Sequence, residues 1–321
     1  MATTDTPYFQ LPKGKVLVAP LNWGLGHATR CIPLIRRMLL EGTEVVIAAD
    51  GHPLSLLKQE FPQLDVVELK GYDIRYPANG NMALAMLKQL PKIVSRIKQE
   101  HKALQQIVTE KQINAVISDN RYGLWSAEIP CYFITHQVMV KCPPALRFLE
   151  PIIYRLNRNF IGKYTQCWIP DFEGKNNLSG DLSHLYPIPE NAIFIGPLSR
   201  FEGMTPQQLE EEFTTLAVVS GPEPQRTIFE TELLQRFRKE NTKAVLVRGL
   251  PGNGSITQDG NVTLINHLDA QQMLNYICAA SAIISRAGYS TIMDLAVIGK
   301  KAVLVPTPGQ TEQEYLSTIN K

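Results

Sequence analysis

The feature that most constrains the fold is a strand–turn–helix–strand pattern near the end of the sequence. The apolar run Ala282 to Ile284 predicts a buried strand, and the turn that follows it contains Gly288. A helical pattern then ends at Gly299, and the apolar run Ala302 to Val305 predicts the next strand. Two strands joined through a helix indicate an α/β fold with a parallel sheet.

The beginning of the sequence repeats this pattern. Lys15 to Pro20 predicts a strand, the turn Gly24–His27 breaks it, and a helical pattern leads to a strand at Glu44 to Ala49. Further predicted strands alternate with helical stretches at 65–69, 113–118, 131–135, 166–169, 216–219, 244–247 and 262–265. We therefore predict two Rossmann-like, doubly wound domains, one in each half of the chain.

The predicted domains span residues 1–199 and 200–321 and face a cleft between them. The acidic run Glu210–Glu212 comes shortly after the boundary and indicates a linker. Residues 1–200 carry 22 Lys and Arg against 17 Asp and Glu, a net charge of +5, whereas residues 201–321 carry 10 against 13, or −3. The first half is therefore the candidate for contact with an anionic partner.

Composition and short motifs exclude several classes of protein. The 321 residues contain no apolar run long enough for a transmembrane helix and no secretory signal, so we expect a cytoplasmic protein. The five cysteines are scattered without a CxxC pair, which argues against a disulfide framework and a structural zinc site. The sequence also lacks GxSxG, GxxxxGK[ST] and Asp-x-Asp, the motifs of common hydrolases, P-loop NTPases and metal-dependent sugar transferases.

His27 follows the first predicted strand, at the sheet edge where α/β proteins bind their ligands. A histidine at this place can act as a general base near neutral pH, although it can also be an ordinary polar residue at a helix start. Gly24 and Gly26 begin a dinucleotide-like turn, but Thr29 replaces its third glycine. Asp50 ends the second strand, so a nicotinamide-dependent oxidoreductase remains an alternative.

The turn at Gly288 has the character of an anion site. A helix that begins there points free backbone N–H groups and its positive dipole end at the turn. Asp294 lies about one helical turn after Thr291, where its carboxylate can accept two hydrogen bonds from a diol such as ribose. The alternative is that Ser290 and Thr291 simply cap the helix.

Two segments of the first half are amphipathic and basic. Residues 75–102 carry six bases against one acid, and residues 141–163 carry five bases against Glu150, with apolar residues interspersed in both. They are either two core helices with solvated outer faces or a surface that rests on anionic lipid.

Taken together, these motifs resemble the GT-B glycosyltransferases, and most of all the peptidoglycan-type UDP-N-acetylglucosaminyltransferase of glycosyltransferase family 28. The matching elements are Gly24–His27, Gly196–Arg200, Ser220–Gly221, Arg286–Asp294 and Gln310–Tyr315. The sequence departs from the family where Asp294 replaces Glu and where Pro222 and Pro224 replace glycines. His136-Gln137 alone represents a longer His-Glu-Gln-Asn element.

The resemblance implies an inverting glycosyltransferase that needs no metal and no cofactor. Its donor would be a nucleotide diphosphate sugar, with N-acetylglucosamine as the implied sugar, bound on the second domain. Its acceptor would be a hydroxyl, carried on a lipid at the cytoplasmic face of the membrane, that enters from the first domain. His27 would be the catalytic base, Arg200 a clamp on the diphosphate, Asp294 the ribose ligand and Gln313 a ligand of the donor sugar. The implied substrate-binding residues are Gly24, Gly26, Arg200, Ser220, Gly221, Arg286, Gly288, Tyr289, Ser290, Thr291, Asp294, Gln310 and Gln313.

Other functions remain open at this point. A nucleotide-sugar 2-epimerase of the same fold would share the donor site and need no acceptor, and a non-catalytic protein would bind nucleotide sugar without turnover. No nucleic-acid partner is expected. The family pattern continues with another strand and a closing helix after Lys321, so we expect the C-terminal end of the fold to be incomplete.

Overall fold

The computed structural model describes residues 9–74, 82–209, 213–251 and 255–320, with the side chains of 82–87 left aside. The predicted linker Glu210–Glu212, the base Arg75 and the last residue, Lys321, lie outside the described residues. Among the described helices, none has both the length and the apolar character that a bilayer crossing requires.

The first half forms a parallel sheet of seven strands in the order β3-β2-β1-β4-β5-β6-β7. Its strands are β1 (Lys15–Pro20), β2 (Glu44–Ala49), β3 (Asp65–Glu68), β4 (Ala115–Asp119), β5 (Cys131–Ile134), β6 (Gln166–Ile169) and β7 (Ala192–Phe194). The connections contain α1 (Gly26–Leu40), α2 (Gly51–Glu60), α3 (Met82–Lys111), a 3₁₀ helix (Pro144–Leu149), α4 (Glu150–Ile161) and α5 (Asp181–His184).

The second half forms a six-stranded sheet in the order β10-β11-β9-β8-β12-β13, parallel except for the β10–β11 pair. Its strands are β8 (Thr215–Val218), β9 (Ala244–Val247), β10 (Ile256–Asp259), β11 (Val262–Ile265), β12 (Ala282–Arg286) and β13 (Val303–Val305). Its helices are α6 (Gln225–Glu240), α7 (Ala270–Ala279), α8 (Tyr289–Ile298) and α9 (Thr311–Ile319). Two Rossmann-like domains are thus confirmed; the boundary between Ser199 and Arg200 falls in the connection between the sheets and stays a prediction.

Burial on both faces of the first sheet explains its apolar strands. In β1, Val16 and Val18 pack into one core cluster, whereas Leu17 packs into the cluster on the opposite face. The first of these clusters also contains Tyr289, Ile292 and Met293 of α8 and Leu316 of α9. Helices of the second half therefore complete a core of the first half, so that the two halves are packed together and not joined by a linker alone.

Candidate active site

Two glycine turns face each other between the sheets. The turn after β1 contains Gly24 (φ 81°), and the turn after β8 contains Gly221 (φ 110°). A Cβ atom built on Gly24 would lie 3.8 Å from the Cα atom of Gly221, so the two turns are within van der Waals distance. Glycine suits both places because it adopts a positive φ without steric cost.

Three helices begin around these turns, and in none of them does the N-cap residue provide a side-chain cap, although in α6 Glu223 accepts from the Thr227 N–H at 3.2 Å. They are α1, which starts at Gly26, α6, which starts at Gln225, and α8, which starts at Tyr289 after the N-cap residue Gly288. The alternative that Ser290 and Thr291 cap α8 is wrong, because the N-cap residue is Gly288 and no side-chain cap is present, and the Ser290 hydroxyl donates to the Gly26 carbonyl at 2.8 Å. Uncapped helix starts leave backbone N–H groups and positive dipole ends for an anion.

His27 lies in the first turn of α1 and contacts a buried carboxylate. Its Nδ1 atom is 2.8 Å from Oδ1 of Asp119, the fully buried last residue of β4. The register of the sheet pairs Pro20, at the end of β1, with Asp119, which brings the carboxylate to the edge where α1 begins. Sequence reasoning missed Asp119; its only signal was its position directly after the predicted strand 113–118.

Arg30 holds the Asp119 carboxylate from the other side. Its Nε atom donates to Oδ2 at 2.5 Å, and its Nη2 atom contacts Oδ1. Burial alone would raise the pKa of Asp119, but Arg30 and His27 outweigh it and lower the pKa to about 2. Asp119 is therefore a carboxylate at neutral pH and can orient the His27 ring and stabilise its protonated form.

Arg286, at the end of β12, is a buried cation near the start of α8. Its guanidinium lies 3.9 Å from the centre of the Phe229 ring and donates to the carbonyls of Pro306 (3.0 Å) and Gln225 (3.2 Å). Its buried Nε atom has no hydrogen-bond partner, and within the described part of the chain no carboxylate forms an ion pair with it. Burial lowers the pKa of Arg286 to about 10, so the side chain stays charged and suits an anionic ligand.

Asp294 and Arg200 contact each other in this structure. Oδ1 of Asp294 accepts a hydrogen bond from the Ser199 hydroxyl at 2.6 Å, and Oδ2 lies 3.4 Å from Nε of Arg200. Burial raises the pKa of Asp294, against the opposing effect of Arg200. The predicted ribose ligand and the predicted diphosphate clamp are thus brought together, and each role stays a prediction.

The remaining predicted residues follow the carboxyl ends of β8, β12 and β13. Tyr289 donates from its hydroxyl to the Pro170 carbonyl at 2.9 Å, which ties α8 to the first half. Oε1 of Gln313 accepts from the backbone N–H of Thr307 at 2.8 Å, and Gln310 is the N-cap residue of α9. Ser220 precedes Gly221 in the turn after β8, and Thr291 lies in the first turn of α8.

Comparison with known proteins identifies the class of enzyme. Residues 215–316 match the model of the glycosyltransferase family 28 C-terminal domain. An uncharacterized glycosyltransferase of Methanosarcina acetivorans is 23% identical over 328 residues, covering 95% of this chain and 83% of that protein. The UDP-N-acetylglucosamine–N-acetylmuramyl-(pentapeptide) pyrophosphoryl-undecaprenol N-acetylglucosamine transferase of Methylobacterium sp. (strain 4-46) is 31% identical over 122 residues, or 37% of this chain and 30% of that protein.

The solved structures agree on the fold. The glycotransferase of kitacinnamycin superposes with a TM-score of 0.57 at 14% identity, covering 96% of this chain and 84% of that structure. The fold is therefore that of the GT-B glycosyltransferases, with two Rossmann-like domains. The family 28 domain and the curated relatives indicate that the chain is a glycosyltransferase.

Proposed function

We propose that this glycosyltransferase moves a sugar from a nucleotide diphosphate sugar to an acceptor hydroxyl, with inversion at the anomeric carbon. The observation that carries the proposal is the His27–Asp119 hydrogen bond of 2.8 Å at the carboxyl edge of the first sheet. This pair lies beside the facing Gly24 and Gly221 turns and the start of α8. It combines a base with an orienting carboxylate next to a site that suits a diphosphate.

The His27 ring has a definite role in this scheme. Nδ1 of His27 lies 2.8 Å from Oδ1 of Asp119 and 3.0 Å from Nη2 of Arg30. The scheme uses the tautomer in which Nδ1–H donates to Asp119, so that Nε2 carries a free lone pair and can accept the proton of the acceptor hydroxyl. The hydroxyl oxygen forms a bond to the anomeric carbon as the bond from that carbon to the diphosphate oxygen breaks. The proton ends on Nε2, the bonding electrons leave with the diphosphate, and the charged Asp119 stabilises the imidazolium.

The leaving diphosphate would lie among the starts of α1, α6 and α8. The uncapped N–H groups of α1 and α8, the dipole of α6 and the Arg286 guanidinium would supply positive charge without a metal. Across the described ranges, no three His, Cys, Asp or Glu side chains are grouped to hold a metal ion, and metal independence stays a prediction. Because the Gly24 and Gly221 turns touch, the domains would have to part to admit the donor.

The acceptor would be carried on a lipid, and the sugar would be N-acetylglucosamine. The partial likeness to the undecaprenol-linked transferase of Methylobacterium supports both assignments. A surface feature supports the first: the outer face of the 3₁₀ helix and α4 exposes Phe148 (71%), Ile152 (55%) and Leu156 (55%). Asn157 of α4 donates to the Gln137 and Val138 carbonyls, so α4 packs against the loop that begins near His136. We place this face on the cytoplasmic surface of the membrane.

Replacement of His27 tests the proposal. With a donor selected from a thermal-shift panel of nucleotide diphosphate sugars, His27→Ala lowers kcat by about two to four orders of magnitude and keeps donor binding. His52→Gln, an exposed histidine on α2, is the matched control and keeps wild-type turnover. Near-normal turnover of His27→Ala would mean that another group takes the proton. Incubation with the donor alone distinguishes a 2-epimerase, which would form an epimer without any acceptor.

A further inference from the structure

The hydrogen bonds around Asp119 continue across the interface between the two halves. Nη1 of Arg30 lies 3.2 Å from Nδ1 of His136, in the loop after β5. Nε2 of His136 lies 2.7 Å from Oε1 of Glu312, in the first turn of α9. An uninterrupted path therefore runs from His27 through Asp119, Arg30 and His136 to a carboxylate of the second half.

The chemistry of arginine fixes how this path is protonated. A guanidinium only donates, so Nδ1 of His136 must accept from Arg30, and its ring proton sits on Nε2, which donates to Glu312. Burial lowers the pKa of His136, consistent with a neutral ring. Burial alone would raise the pKa of Glu312, but His136, His27 and Arg30 outweigh it and lower the pKa, so this side chain is a carboxylate at neutral pH.

Glu312 enters the cluster only because the two halves are docked. The ring of His136 stacks on Tyr289 with centroids 4.0 Å apart and an interplanar angle of 3°. The Thr311 hydroxyl donates to the Lys141 carbonyl at 2.7 Å, next to Glu312 on α9. One turn later, the Tyr315 hydroxyl accepts from the backbone N–H of Asp181 at 2.7 Å. Separation of the halves would remove Glu312 from His136 and leave the rest of the path on the first half.

The cluster has one more negative than positive charge when Glu312 is present. The groups that face the two histidines are Asp119 of β4, Arg30 and the Cys31 thiol of α1, Tyr289 of α8 and Glu312 of α9. Burial raises the pKa values of Cys31 and Tyr289, so both are neutral. Arg30 balances Asp119, so the remaining negative charge of Glu312 favours the protonated form of the nearby imidazoles more than a cluster without this charge would.

We propose that Glu312 is a positioning residue that increases the proton affinity of His27 from across the domain interface, through His136 and Arg30. The inference rests on the proposed role of His27 as the base. Docking of α9 then completes the base: the closed arrangement of the halves is the one in which His27 holds the acceptor proton most strongly. Removal of the Glu312 charge weakens this hold while the His27–Asp119 contact remains.

The test compares three variants by the pH dependence of kcat/KM and by NMR titration of the His27 and His136 rings. Glu312→Gln keeps an oxygen for the His136 N–H but loses the charge. We therefore expect the acidic side of the kcat/KM profile and the titration midpoints of the His27 and His136 rings to move to lower pH, by about one unit at His136. Glu312→Asp keeps the charge and restores both midpoints most of the way. Glu314→Gln, which changes an exposed residue of the same helix, is the control for the loss of charge alone and leaves the kcat/KM profile and both titration midpoints unchanged.

Three outcomes would overturn the inference. They are an unmoved acidic side of the kcat/KM profile in folded Glu312→Gln, a shift confined to His136, and an equal shift in Glu314→Gln. Because NMR reads the rings without turnover, failure of His27 as the base is recognised separately, by the normal turnover of His27→Ala described above. If Glu312→Gln does not fold, Glu312→Asp still decides, because a structural role would make its shortened side chain as harmful as a lost charge.

Discussion

At the scale of single residues, Asp294 offers the sharpest test of the donor site. Its carboxylate is already bonded to Ser199 and close to Arg200, so a loss of function after its removal could come from the lost carboxylate or from the lost contacts. Ser199→Ala removes the same hydrogen bond and leaves the carboxylate in place. If Asp294 binds the ribose, Asp294→Asn raises the donor KM about tenfold, whereas Ser199→Ala changes it little. Equal effects of both variants would assign Asp294 a purely structural role.

The sequence pointed to His27 through the glycine turn, but it could not point to the residues around it. Asp119 lies 92 positions away and meets His27 only because β4 pairs with β1. Arg30 follows His27 on the same helix, and nothing in the sequence distinguishes it from a solvent-exposed base, although it is buried in the fold. Side chains that converge through strand order leave no local pattern, which is why a single sequence predicts a base and not its charge network.

At the scale of elements, α4 and the preceding 3₁₀ helix predict membrane docking. Phe148, Ile152 and Leu156 are exposed at a helical spacing beside the exposed bases Arg147 and Arg155. Each base near an anionic surface contributes about 1 kcal/mol, so the protein should sediment with anionic liposomes at low salt and be released at high salt. The double variant Arg147→Glu, Arg155→Glu should weaken sedimentation without changing turnover of a soluble acceptor analogue.

A matched apolar control completes this experiment. Ile152→Ser should also weaken sedimentation, whereas Leu40→Ser, which changes an exposed leucine (89%) at the end of α1, should not. If wild-type protein does not sediment with anionic liposomes even at low salt, membrane docking is contradicted and a soluble acceptor is favoured.

Elements were predictable where burial imposes a pattern. The long apolar runs predicted β1, β2, β4 and β12 because strands covered on both faces are continuously apolar. The edge strand β10 was missed: its four residues have no buried face and pair with β11 across a turn at Gly260. For α4 the sequence left two interpretations open, because the same apolar spacing suits a core helix and an exposed face; only the fold shows which side is covered.

At the scale of the whole molecule, the sequence predicted two domains and a cleft, but not how closely they are docked. The core cluster that α8 and α9 complete and the path from His27 to Glu312 both cross between the halves. Such contacts depend on the relative placement of two independently patterned units, which no motif encodes. Because docking of the two halves buries titratable side chains between them, the stability of the folded molecule depends on the ionisation of those side chains.

That coupling predicts a stability that falls on mild acidification. Burial lowers the pKa of His136 from its usual 6.5, so at pH values below 6.5 and above the folded pKa the unfolded chain binds more protons than the folded one. Acidification through this window favours unfolding and removes about 1 kcal/mol of stability per pH unit from this one ring. Urea denaturation of the full chain at pH 7.5 and 5.5 measures the loss. The loss of unfolding free energy should be smaller in His136→Gln, which keeps an amide donor for Glu312, and unchanged in the exposed control His52→Gln. An unchanged loss in His136→Gln would contradict the assignment of this pH dependence to His136.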